Sequence, residues 1–111
     1  MAGFFGAAEI KQMNSAFNIS KDTMVVTSKY VTDERLPILD VTHEDNEEGG
    51  SLWQFHCGNG DYSLNNMRLV RLDTILGIDP SVIEVADLKM GQTATRRDPS
   101  SPWIISSVQR G

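Results

Sequence analysis

The clearest pattern in the chain lies within Gly49–Tyr62, where side chains of different polarity alternate over residues 52–57. A glycine-containing turn is expected on each side of this run. Successive residues of a β-strand point to opposite faces of a sheet. A strand at this position has a mixed face, made of Leu52, Gln54 and His56. Its other face is apolar and is made of Trp53, Phe55 and Cys57. The apolar set predicts the core face, because burial of a large aromatic side chain contributes about 2–3 kcal/mol.

Other segments share the β-branched and apolar content that is typical of strands. They are Thr23–Val31, Arg35–Glu44, Thr93–Arg97 and Trp103–Val108, with part of Lys29–Asp33 expected to form a turn. The runs Arg35–Glu44 and Ser51–Cys57 are separated by a loop rich in acidic and glycine residues. We expect them to pair as an antiparallel hairpin.

Helical spacing of apolar residues appears in three places. A short helix is expected over Ala7–Phe17, and another over Leu69–Leu76, which Gly77 ends. Asp79 and Pro80 suit the first positions of a third helix, which extends to about Leu88.

These elements predict a small α+β fold in a single domain spanning residues 1–111, with residues 1–6 as a loose N-terminus. The expected architecture is an antiparallel sheet of about four or five strands, with two consecutive helices packed on one face and a short N-terminal helix. A length of 111 residues suits one domain with its own core.

The net charge of the chain indicates which class of partner to expect. The formal net charge is −5. This acidic balance disfavours nucleic acid, whose phosphates need clustered Lys and Arg, and favours a basic protein. Candidate partner-binding residues are the carboxylates in and near the acidic loop: Asp33, Glu34, Glu44, Asp45, Glu47, Glu48 and Asp61. Nothing in the sequence favours one oligomeric state.

Cys57 is the one cysteine, so no internal disulfide can form and a reducing compartment is the simpler reading. No apolar run reaches the roughly 18 residues of a membrane span. The N-terminus has no basic segment before its apolar residues, which makes it a poor signal peptide. We therefore expect a cytoplasmic protein without a membrane contact.

Motifs that suggest chemistry give no assignable catalytic or metal-binding residue. His56 and Cys57 are neighbours in a strand and point to opposite faces, so they are poorly placed to act on one atom. The segment Gly58–Gly60 has no following Gly-Lys-Ser/Thr and indicates a tight turn rather than a phosphate loop. No cofactor is implied. One alternative stays open, a small-molecule-binding protein or enzyme with a pocket near His43, His56 and Arg96.

A set of short motifs extends from about Val25 to Ile105. It consists of Val25-Val26-Thr27-Ser28, Ile38 with Glu44, Ser51 to Gly58, Asp61-Tyr62, Leu72 with Ile75, Asp79-Pro80 with Ile83, and Gly91 with Arg96 or Arg97. In this order the motifs resemble the immunity protein 33 family of bacterial polymorphic toxin systems. The chain departs from the family pattern at Leu52, where Gly is usual, and at Asn59-Gly60, where an acidic residue is usual.

The resemblance implies a cytoplasmic protein that protects a cell by binding a cognate toxin. It implies no catalytic residue. The leading interpretation is therefore a non-catalytic protein-binding domain. Besides the small-molecule-binding protein or enzyme named above, a second alternative stays open: an accessory or regulatory domain with no toxin involved.

Overall fold

The computed structural model describes residues 17–45 and 50–107. Within these ranges, six strands form one mixed sheet in the order β4-β1-β3-β2-β5-β6. Every neighbouring pair is antiparallel except β1 and β3, which are parallel. The strands are β1 Met24–Ser28, β2 Asp40–Asp45, β3 Ser51–His56, β4 Met67–Arg71, β5 Gln92–Thr95 and β6 Ile104–Ser107.

Helices fill the connections. α1 spans Lys29–Thr32 and α2 spans Leu72–Ile78, and two 3-10 helices span Leu64–Asn66 and Pro80–Val85. Asp79 caps the second 3-10 helix, since its carboxylate accepts a hydrogen bond from the backbone N–H of Ser81 at 3.1 Å. None of the helices in the described ranges is long and apolar enough to cross a bilayer.

The core lies on one face of the sheet. The predicted apolar face of β3 is confirmed, with Trp53 and Phe55 buried beside Val41 of β2. From the other side, buried residues of α2 and of the 3-10 helix Pro80–Val85 complete the cluster: Leu72, Ile75, Val82 and Val85. Phe17 also joins it, with its ring 5.0 Å from Trp53 in an edge-to-face contact that suits aromatic pairs.

The parallel β1–β3 pair is the junction that the sequence did not reveal. Its register places Val26 beside Gln54. The buried hydroxyl of Thr27 donates a hydrogen bond to the Phe55 carbonyl at 2.6 Å. A side chain thus adds a bond to the backbone pairing where the two strands meet.

The α+β class is confirmed, and so is the antiparallel hairpin of β2 and β3. The prediction of an antiparallel sheet of about four or five strands is met only in part. The described residues form six strands, and one of the five neighbouring pairs is parallel. The helix expected over Leu69–Leu76 is β4 up to Arg71 and α2 from Leu72. The second consecutive helix is 3-10 rather than α and ends at Val85. The loose end at 1–6 and residues 7–16 of the expected N-terminal helix lie outside the described residues.

Candidate functional site: the open face of the sheet

The sheet has a second face, opposite the core, which we call the open face. Alternation along β2 places Asp40, Thr42 and Glu44 there, because Val41 and His43 are buried on the core side. Asp40 pairs with His56, and Thr42 lies between Gln54 of β3 and Thr93 of β5. The open face is therefore polar at its centre, with two carboxylates four residues apart on one strand.

Tyr62, from the connection between β3 and β4, folds back onto this face. Its hydroxyl donates a hydrogen bond to Oδ2 of Asp40 at 2.9 Å. Its ring and that of His56 are nearly perpendicular, with the ring centres 4.9 Å apart. Burial, and then the hydrogen bond to Asp40, raise the pKa of Tyr62 to about 12. The hydroxyl is therefore neutral at physiological pH and acts as a donor.

His56 forms the floor beneath Tyr62. Its side chain is buried, and its Nε2 lies 2.9 Å from Oε1 of Gln54. Burial lowers the pKa of His56, and the nearby Asp40 carboxylate opposes that effect. A neutral imidazole that donates from Nε2 to the Gln54 oxygen satisfies both groups.

Tyr62 lines three hollows, which differ in the polarity of their walls. The polar hollow has a volume of about 400 Å³ and is lined by carboxylates, hydroxyls, an amide and an imidazole: Asp40, Thr42, Glu44, Gln54, His56, Tyr62 and Thr93. The apolar hollow has a volume of about 360 Å³ and is lined by Val26, Gln54, Tyr62, Leu64, Met67, Arg68 and Leu69. A third hollow of about 370 Å³ is lined by Leu39, Asp40, Gly58, Gly60, Tyr62, Thr95, Arg96 and Arg97.

The connection that carries Tyr62 is held by Asp61. The Asp61 carboxylate accepts hydrogen bonds from the Tyr30 hydroxyl at 2.5 Å, the Ser63 hydroxyl at 2.7 Å and the Asn66 amide at 2.8 Å. These bonds, the one from Tyr30 first, hold the pKa of Asp61 well below its usual range. Gly58 and Gly60 both have positive φ, in the bend that leads the chain from β3 to this position.

The structure divides the seven carboxylates expected to contact a partner. β1 and β3 run parallel, so Asp33 and Glu34 after α1 lie at the same end of the sheet as Asp61. β2 runs the other way, so Glu44 and Asp45 lie at the opposite end, beside Leu52 and Ser51. The described members of the set therefore do not form one continuous patch, and Glu47 and Glu48 lie outside the described residues.

His43 and His56 do not share a site. His43 is buried on the core face, where its ring stacks on Trp53 with the centres 4.1 Å apart, and its Nδ1 lies 2.7 Å from the Leu88 carbonyl oxygen. His56 points to the open face. No pocket that joins the two histidines can form across the sheet.

Arg96 is engaged inside the fold. Its guanidinium donates from Nε and Nη2 to the Ile38 carbonyl at 3.1 and 2.9 Å, and Nη2 also pairs with Oδ2 of Asp79 at 2.8 Å. The same group lies over the Trp103 ring, 4.1 Å from its centre. These contacts tie the start of the 3-10 helix Pro80–Val85 to the chain before β2, which is a structural role.

Among the described residues, Cys57 and the possible metal ligands can be placed as follows. Cys57 is a buried free thiol. Over residues 17–45 and 50–107, no three His, Cys, Asp or Glu side chains are grouped to hold a metal ion. The open face carries carboxylates, hydroxyls and exposed apolar groups.

Sequence reasoning named Tyr62 only as part of a turn and Asp40 only as part of a strand. Alternation with Val41 was a sufficient signal to place Asp40 opposite the core. The return of Tyr62 onto Asp40 depends on the path of the connection, which the sequence pattern does not encode.

Comparison of the chain with protein-family models, with curated proteins and with solved structures finds no match. The resemblance to the immunity protein 33 family stays a prediction that rests on the motifs quoted above.

Proposed function

We propose that this chain is a non-catalytic protein-binding domain that uses the open face of its sheet to bind a basic partner protein. The observation that supports this most directly is the open face itself, where a polar hollow with two carboxylates adjoins an apolar hollow with exposed leucines. By the resemblance, the partner is a toxin that this protein neutralises.

The apolar hollow supplies area for burial. Leu64 is 88% exposed and Leu69 is 67% exposed, and both line it. Burying one such leucine against a partner contributes about 1.5–3 kcal/mol before the entropic cost of association is subtracted. Contiguous exposed apolar residues with a polar rim are typical of protein interfaces.

The polar hollow supplies charge for selecting a basic partner. Glu44 and Asp40 both line it, and the chain as a whole has a net charge of −5. A partner lysine or arginine placed between them would meet acceptors from Thr42 and Thr93 as well. Opposite charge also raises the association rate through long-range attraction.

The groups that acid–base chemistry would use are engaged in internal contacts. Tyr62 donates to Asp40 and His56 is bonded to Gln54, so both side chains serve to hold the floor of the hollow. A preformed surface of this kind reduces the ordering cost of binding. We assign the protein to the cytoplasm as part of the same proposal, since the free thiol of Cys57 suits a reducing compartment.

The proposal is tested by charge reversal on the open face, measured as association kinetics with the partner captured from the native cell. Glu44→Lys is expected to lower the association rate by about two- to tenfold at low salt and by less at moderate salt. Glu84→Lys is the matched control, because Glu84 is exposed in the 3-10 helix that packs on the core side. Equal effects of the two changes would remove the open face from the proposal.

A further inference from the structure

Asn59 and Gly60 lie side by side in the connection from β3 to β4, where both are exposed and belong to no helix or strand. Gly60 has a φ of +85°, and apart from its chain neighbours no atom of a described residue lies within 4 Å of the place where a Cβ would stand. The side-chain oxygen of Asn59 accepts a hydrogen bond from the Asp61 backbone N–H at 3.0 Å. Asparagine in a turn commonly bonds to the backbone two residues on in this way.

This turn brings together the atoms of a reaction that asparagine undergoes in water, in which the next backbone nitrogen attacks the side-chain carbonyl carbon and closes a succinimide ring. The ring that the Asn59–Asp61 hydrogen bond closes contains the Gly60 nitrogen, so the attacking and attacked atoms are held near each other. Glycine places no Cβ in the path of this approach. The Gly60 N–H forms no hydrogen bond with a described residue, which leaves its nitrogen available.

The same hydrogen bond favours the transition state of the ring closure. Negative charge develops on the Asn59 side-chain oxygen as the new bond forms, and the Asp61 N–H already donates to that oxygen at 3.0 Å. Donors at this distance stabilise a developing oxyanion. Asn65 is a comparison within the chain, because it is exposed but is followed by Asn66, and no donor among the described residues reaches its side-chain oxygen.

We propose that Asn59 is a site of spontaneous covalent modification. The Gly60 nitrogen gives its proton to water and bonds to the side-chain carbonyl carbon of Asn59, whose amide C–N bond breaks and whose nitrogen leaves as ammonia with a proton from water. Water then opens the succinimide. Cleavage at the former side-chain carbonyl yields aspartate, and cleavage at the main-chain carbonyl yields isoaspartate, in which the main chain runs through the former side chain.

Isoaspartate at this position changes the open face. It lengthens the backbone by one carbon–carbon bond, about 1.5 Å, immediately before the residues that hold the connection. The Tyr62 hydroxyl lies 2.9 Å from Asp40. Since hydrogen bonds of this kind extend to about 3.2 Å, a displacement of that size is enough to break it. The modification therefore releases Tyr62 from Asp40 and alters the hollows that its ring lines.

The proposal requires no partner, so its failure and the failure of the proposed function are separate results. The full chain is incubated at mildly alkaline pH and mapped over time by proteolysis and mass spectrometry. We expect aspartate and isoaspartate to accumulate at position 59, at least as fast in the folded chain as in the chain unfolded in guanidinium chloride, because only the folded chain holds the turn. Asn65 is the internal control and is expected to stay unmodified. Asn59→Gln must close a larger ring and is expected to react at least about tenfold more slowly.

Urea denaturation tests the effect on the connection. The isoaspartate form, purified by ion exchange, is expected to unfold at a lower urea concentration than the fresh chain. Asn59→Asp is the matched control, because it adds the charge without the extra backbone bond and keeps an acceptor for the Asp61 N–H. It is expected to unfold near the midpoint of the fresh chain. A folded chain that reacts more slowly than the unfolded chain would overturn the proposal, and so would an isoaspartate form as stable as Asn59→Asp.

Discussion

The Tyr62 hydroxyl donates to Asp40 across 22 residues of sequence, at 2.9 Å, and this bond sets the shape of the open face. Asp40 begins β2, and Tyr62 lies in the connection between β3 and β4. Their contact holds an aromatic ring above His56 and separates the polar hollow from the apolar hollow. The contact between Tyr62 and Asp40 therefore contributes to the shape of the proposed binding surface, together with the sheet beneath it.

Tyr62→Phe removes this donor and retains the ring. We expect a loss of about 0.5–1.5 kcal/mol in the free energy of unfolding, the usual net value of one hydrogen bond, measured by urea denaturation. Tyr62→Ala also removes the ring contact with His56, so its loss is expected to be larger. If Tyr62→Phe were as stable as the wild type while Tyr62→Ala was not, the ring alone would hold the connection.

The lowered pKa of His56 leads us to expect that the stability of the fold depends on pH. Burial lowers its pKa below 6.5 in the folded chain, so the unfolded chain binds a proton first as the pH falls. The free energy of unfolding is therefore expected to decrease from pH 7 toward pH 5 through this group, and to be unaffected by it above pH 7. Urea denaturation of wild type and His56→Gln over this range isolates the contribution. The variant should show the shallower slope, and identical slopes would contradict the assignment.

Because the Arg96 guanidinium is bonded inside the fold, we expect that removing this side chain causes a large loss of stability. Arg96→Ala removes the donor to the Ile38 carbonyl and the cationic partner of Asp79, whose carboxylate keeps its hydrogen bonds from Ser81. Loss of one member of a buried pair costs about 3–5 kcal/mol. Thermal and urea denaturation measure the change. Arg97→Ala is the control, because the neighbouring side chain is exposed. A loss below about 1 kcal/mol in Arg96→Ala would show that the pair contributes little.

The parallel junction of β1 and β3 gives a further prediction. Thr27→Val keeps the shape of the side chain and removes its donor to the Phe55 carbonyl, so we expect the free energy of unfolding to fall by about 1–2 kcal/mol. Thr93→Val, on the open face of β5, is the comparison and is expected to change stability by less than about 0.5 kcal/mol. Equal losses would indicate a cost of the Thr→Val exchange itself.

The fold was predictable where one short pattern decides it. The alternation at Trp53 and Phe55 is strong because it holds large aromatic residues on one face, and both are buried. β4 was missed because Leu69 and Leu72 lie at helical spacing across the boundary at which β4 ends and α2 begins. A periodicity that continues across two elements cannot show where one changes into the other.

The site was less predictable than the fold, since its contacts join distant parts of the chain. Acidic composition indicated a basic partner, yet it placed Asp61 in one contact zone with Glu44, and these residues lie at opposite ends of the sheet. The hydrogen bonds of Asp61 to Tyr30 and Asn66 give this residue a role in holding the connection. Local sequence shows which side chains carry charge, and only the three-dimensional path shows which of them share a surface.

The most direct test of the open face as a binding surface is capture from native cell lysate, at low and moderate salt, read by mass spectrometry. Tagged wild type is compared with Leu64→Asp, which changes an 88% exposed residue of the apolar hollow, and with Leu36→Asp, a 39% exposed leucine outside the three hollows. We expect one stoichiometric basic protein with wild type and Leu36→Asp, less of it as salt rises, and little with Leu64→Asp. Absence of a partner at either salt, or equal capture by Leu64→Asp, would contradict the proposed function.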